Sequence, residues 1–154
     1  MARNVVTAVD SADFFVQAKD SLTNILNVVT TATSSVVSAD ITNTLHKGAI
    51  FYVAIASVTV TAATLALNIN GKNAVDGLYY PVCRVSVDGV SVGSQGKFTA
   101  QIYPGVTTPG PANANAVSAV LPAVFQVQAS LTISNTTATM SGTVSYSVGI
   151  SKIL

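Results

Sequence analysis

The chain has 154 residues, 49% of them hydrophobic and only 8% charged, with a formal net charge of +1. That length suits one domain able to bury about 70% of its unfolded surface without a metal or disulfides, and the single cysteine, Cys83, has no intrachain partner. Arg3, Lys19, Lys47, Lys72, Arg84, Lys97 and Lys152 are scattered singly, so no basic stripe neutralises phosphates and no nucleic-acid partner is expected.

Glutamate and tryptophan are absent, while Thr, Ser, Ala, Val and Asn dominate. Most strong helix formers are scarce and the β-branched residues that fit a pleated surface are plentiful, so the expected class is all-β. At the N-terminus, MARNVVTAVDSADFF carries one early Arg but no apolar core followed by small residues. A secretory signal is therefore not expected, and synthesis in a cytoplasm is.

Residues 11–26, SADFFVQAKDSLTNIL, form the one helical candidate. Phe14, Phe15, Ala18, Leu22, Ile25 and Leu26 fall on one helical face, Asp10 or Ser11 caps the first turn, and Asp13 suits the macrodipole. Two placements stay open: packing on the chain's own sheet, or service as an arm that grips a partner. Residues 27–37, NVVTTATSSVV, read as a first strand. The N-terminal helix or arm and this strand (1–40) precede a β body (41–154), the whole forming one structural domain.

Gly48 to Ile69 contain no charge over 22 residues, long enough for a membrane span. Their pattern argues for strands. Val58 and Val60 alternate with Thr59 and Thr61, and Leu65, Leu67 and Ile69 alternate with Thr64, Ala66, Asn68 and Asn70, a period of two that a lipid-facing helix has no reason to keep. The flanks lack the clustered Lys and Arg that orient a span, and no membrane partner is expected. The more uniformly apolar Gly48–Ser57 half reads as a central strand covered on both faces, with a turn at Ala62-Ala63.

Turns follow at Asn70–Asn73 and at Asp76-Gly77 before Leu78-Tyr79-Tyr80, then at Asp88-Gly89 after the alternating Cys83–Val87. Lys97–Tyr103 is the next strand. Pro104 to Ala116, PGVTTPGPANANA, is the longest loop, with three prolines and no charge, and its length suggests an exposed contact loop. Val117–Leu121, Val124–Ile133 and Ala138–Ile150 complete a set of around eight strands, the pattern of a β-sandwich or jelly roll. Asn135-Thr136-Thr137 matches a glycosylation acceptor, but reads as a turn.

Chemistry is sparse. His46, the one histidine, lies near Asp40 in sequence, but no nucleophile elbow, zinc motif, phosphate-cradling loop or calcium loop appears. Asp10, Asp13, Asp76 and Asp88 occupy cap or turn positions. Cys83 lies in apolar strand context, where a buried, inert thiol is expected. The chain is not expected to be an enzyme, nor to use a cofactor or metal.

Thr42–Val53 (TNTLHKGAIFYV), then Leu65–Tyr80 (LALNINGKNAVDGLYY), Tyr103-Pro104-Gly105, Leu121-Pro122 with Phe125, and Tyr146-Ser147-Val148-Gly149 follow one another in order over roughly residues 40–150. This series resembles a recurring kind of small tailed-phage virion protein. The resemblance implies a β-sandwich structural protein, often a capsid decoration (cement) protein, sitting as a homotrimer on the major capsid protein lattice at the capsid exterior. Another virion part on the same sandwich, such as a tail, head-fibre or host-binding protein, is the alternative. The expected contact residues are Phe14, Phe15 and Leu22 on the N-terminal segment, with Tyr103, Pro109 and Pro111 on the long loop.

Overall fold

The computed structural model describes residues 23–58, 63–87, 96–107, 114–133 and 143–154. Among them are ten strands and no helix: β1 (Thr23–Thr30), β2 (Ser34–Val37), β3 (Ile41–Thr42), β4 (Gly48–Val58), β5 (Ala63–Lys72), β6 (Tyr79–Val87), β7 (Gly96–Ile102), β8 (Ala114–Val117), β9 (Val124–Ile133) and β10 (Val144–Ile153). One sheet has the order β1-β10-β4-β7-β8; the other has β2-β9-β5-β6, with β3 also on β9.

β2 pairs with Gln128–Leu131 and β3 with Val124-Phe125, so the two lie along one side of β9 as a single interrupted strand. With β2 and β3 counted as one and β8 set aside, the eight remaining strands read 1-8-3-6 in one sheet and 2-7-4-5 in the other. That is jelly-roll connectivity, in which each strand pairs mostly with partners remote in sequence. β8 adds a short parallel edge beside β7.

Period-two patterning places the core between the sheets. Along β9, Phe125, Val127, Ala129, Leu131 and Ile133 are buried, while Gln126, Gln128 and Ser130 are only partly covered. Phe51, Val53, Leu65, Leu67, Ile69, Ile102 and Val148 meet them from the neighbouring strands. Fully burying each such side chain contributes about 1.5–3 kcal/mol.

Several expectations change. The helical candidate 11–26 falls mostly outside the described residues, but its last four, Thr23 to Leu26, open β1, where Leu26 pairs with Val148 and turns into the core. The single strand expected over 27–37 is two: β1 belongs to one sheet and β2 to the other. β4 is central in its sheet but covered on one face only. Phe51, Val53 and Ile55 are buried, whereas Tyr52, Ala54 and Ala56 are exposed, because each sheet of a two-layer sandwich has one inner face. Gly71 and Lys72 continue β5, and the turn comes later, over Asn73–Leu78. β8 begins inside the expected long loop, and 118–123 is irregular where a strand over Val117–Leu121 was expected. No helix of the described residues is long and apolar enough to cross a membrane.

Candidate interaction surface

The β3–β4, β5–β6 and β8–β9 connections, the end of β7, the start of β1 and the end of β10 lie at the same end of the sandwich. A chain of hydrogen bonds holds this end. Asn43, only 5% exposed, accepts the His46 N–H at its Oδ1 (3.0 Å) and donates from Nδ2 to the carbonyls of His46 (2.7 Å) and Pro122 (3.2 Å). Its own N–H reaches the Ala123 carbonyl at 2.7 Å, the Leu121 N–H donates to Lys47 O at 3.0 Å, and the Lys47 N–H donates to Ile153 O at 3.0 Å. Buried amides satisfied this fully fix loops that carry no regular pairing of their own.

The glycines here are set by space. A Cβ on Gly48 would overlap the Ile102 carbonyl oxygen and lie 2.6 Å from Tyr103 Cδ2; one on Gly71 would lie 2.8 Å from Pro122 Cγ. The motif residues Asn43, Gly48, Gly71, Tyr103 and Leu121-Pro122 therefore meet one another in space. Their contacts build the fold at this end.

The β5–β6 hairpin projects from this end. Gly77 adopts φ +72°, which glycine takes without the strain a Cβ brings. Asn73 Oδ1 accepts from the Val75 N–H and Asp76 Oδ1 from the Leu78 N–H, both at 2.9 Å, and Tyr80 Oη donates to Asp76 Oδ2 at 2.7 Å. At the hairpin base, Asp40 accepts hydrogen bonds from Tyr79 Oη, from Lys72 Nζ (2.9 Å) and from Gln126 Nε2 (2.8 Å). The Tyr79 hydroxyl and then the Lys72 ammonium hold the Asp40 carboxyl below the usual aspartate range, while Asp40 in turn raises Tyr79 and Lys72. Lys72 Nζ also lies 5.4 Å from the Tyr79 ring centre.

Apolar side chains stand out from this frame. Val75 is 94% exposed, Val120 60%, Leu78 59% and Leu45 54%, and the four come from three different connections at the same end. Turns are usually polar, so exposed apolar residues on three connections at one end are more notable than any one of them alone. The pair flanking Asp76-Gly77, Val75 and Leu78, was legible in sequence as apolar residues bracketing a turn; its company with Leu45 and Val120 was not.

Of the expected contact residues, Tyr103 is half-buried, its hydroxyl donating to the Leu154 carbonyl at 3.0 Å and its ring seated against Gly48. Phe14, Phe15, Leu22, Pro109 and Pro111 lie outside the described residues. Leu22 precedes Thr23, which lies at this end, whereas Pro109 and Pro111 precede Ala114, which pairs with Thr99 in the middle of β7. Among the described residues, no three His, Cys, Asp or Glu side chains could hold a metal ion. Cys83, expected to be buried, is only half-buried on β6, and the desolvation it does undergo raises its thiol pKa, which disfavours the reactive thiolate. No protein-family model matches the chain, and no curated protein or solved structure matches it.

Proposed function

We propose that this protein is a structural component of a phage particle, a decoration protein that binds the major capsid protein lattice on the capsid exterior as an oligomer, with a trimer expected. The observation that carries the reading is the grouping of Leu45, Val75, Leu78 and Val120 at the end from which the N-terminal segment and the long loop depart. Exposed apolar side chains on three connections at one end are the kind of residue an interface core uses. The ordered resemblance to small virion proteins over residues 40–150 points the same way. A jelly roll is compatible with it, since the architecture recurs in capsid and lectin domains, though a fold does not name a function.

On this reading the work is adhesion. The apolar end packs across neighbouring capsid subunits, burying on the order of 1,600 Å² per contact, and resists their separation under internal DNA pressure. No catalytic step, cofactor or metal enters.

The test is sedimentation of purified protein with capsids that lack it, followed by gel densitometry. Stoichiometric binding in hundreds of copies per particle is expected, weakened by the pair Leu78→Ser and Val120→Ser with no change in melting temperature. Protein left in the supernatant overturns the reading; a few copies per particle points instead to a tail, head-fibre or host-binding component.

A further inference from the structure

The outer face of the β9–β5–β6 sheet has a different character from the apolar end. The registers place Arg84, Asn68 and Gln128 in one row across the three strands and Pro81, Asn70 and Gln126 in the next. Strands lie about 4.8 Å apart and residues i and i+2 about 6.6 Å apart, so the polar groups form a grid of roughly that spacing. Within it, Asn68 Nδ2 donates to Ser130 Oγ (2.9 Å), Asn70 Nδ2 to Gln128 Oε1 (3.3 Å), and Gln128 Nε2 to Ser35 Oγ (2.7 Å).

A β-bulge breaks this face. Ile69 pairs with Cys83 but Asn70 with Pro81, leaving Val82 as an extra residue on β6. Bulges re-aim side chains and open local depressions. Here a cleft of about 410 Å³ lies against the bulge, lined by Asn68, Asn70, Pro81, Val82, Cys83, Arg84 and Gln128. Its volume falls in the small-molecule range of about 300–1,000 Å³, yet its lining is rich in carboxamides.

We propose that this cleft binds an oligosaccharide. Each carboxamide has two N–H donors and an acceptor oxygen, and the ladder uses only part of that capacity. What remains matches the paired donor and acceptor roles of sugar hydroxyls. The cross-strand bonds hold the amides in place before a ligand arrives, which lowers the entropic cost of binding. Arg84, which makes no ion pair among the described residues, offers a planar fork to two adjacent oxygens. Pro81 and Val82 supply the apolar strip that the C–H face of a pyranose covers.

Other ligand classes fit poorly. A nucleic acid would need several cations, and Lys72 is engaged by Asp40. A hard cation would need carboxylates that the cleft lacks. The inference is independent of capsid binding, because the grid and the apolar end use different side chains.

The experiment applies fluorescently labelled full-length protein to an array of bacterial and animal oligosaccharides, alongside Asn70→Ala, Gln128→Ala, Arg84→Lys and the control Thr64→Ala elsewhere on β5. Wild type and Thr64→Ala are expected to bind the same sugars, and the three cleft variants to lose about tenfold in affinity. Arg84 is exposed, so its variant reports on the site even where an amide substitution lowers the melting temperature. Leu78→Ser is expected to bind sugar normally. Absence of binding across the array, or binding that the cleft variants leave unchanged, overturns the proposal.

Discussion

Asn43 shows how much one side chain can organise. It is among the few buried polar residues, and its carboxamide satisfies a turn amide and carbonyls from two segments nearly 80 positions apart. Asn43→Ala leaves those groups unpaired and is expected to cost about 1–3 kcal/mol, read as a lower urea midpoint at unchanged m-value. Gly48 makes a complementary case. Its missing Cβ admits the Ile102 carbonyl and the Tyr103 ring, and backbone cannot give way as the end of a flexible side chain can. Gly48→Ala is expected to destabilise by about 1–3 kcal/mol through overpacking, and Tyr103→Ala in the same chain to restore part of the loss by opening the space. A double-mutant cycle checks that coupling.

At the scale of elements, the β5–β6 hairpin is tied to the β2–β3 connection by Asp40, and that tie depends on pH. The Asp40 carboxyl titrates lower in the folded protein than in the unfolded chain, so the unfolded state binds more protons in acid. The stability it contributes is complete above the ordinary aspartate value near 3.9, shrinks as pH falls through the folded value, and is gone below it. Tyr79 and Lys72 shift upward. Their contribution is complete below their ordinary values of about 10, and is lost as pH rises through the folded ones. Asp40→Asn is therefore expected to melt below wild type at pH 6, with the gap closing as pH falls below about 4. A gap that stays constant from pH 6 to pH 2 in thermal melts excludes this account. The effect is small because the cluster is open to solvent.

At the scale of the whole molecule, jelly-roll connectivity brings the first and last described strands together: β1 pairs with β10, and β10 with β4. Such non-local pairing carries a loop-closure cost before its contacts form, so refolding is expected in milliseconds to seconds, as for other sandwiches. Stopped-flow fluorescence from the five tyrosines, which have no tryptophan to obscure them, measures it; a microsecond phase that accounts for the whole amplitude would contradict this topology. Oligomeric state belongs to this scale as well. On the proposed reading, light scattering is expected to give three times the 15.7 kDa chain mass, and a monomeric mass at all concentrations counts against a trimer that forms in solution.

What the chain determined by itself was whatever depends on neighbours one or two residues away. The alternation of Leu65, Leu67 and Ile69 with Asn68 and Asn70, and of Phe125, Val127 and Ala129 with Gln126 and Gln128, fixed an all-β class and the inner face of β5 and β9. The same alternation carries the amide grid, since N-I-N and Q-V-Q are period-two polar signals. Tertiary structure decided what depends on distant partners. Thr23–Leu26 became strand because Leu26 found the core opposite Val148, against a helical spacing that was equally good locally. β4, apolar on both faces as written, kept one face open because the sandwich has only two layers. Leu45, Val75, Leu78 and Val120 came to the same end only once strand order carried their connections there. Strand order follows from backbone hydrogen bonds and closure of long loops, which no short window of sequence contains.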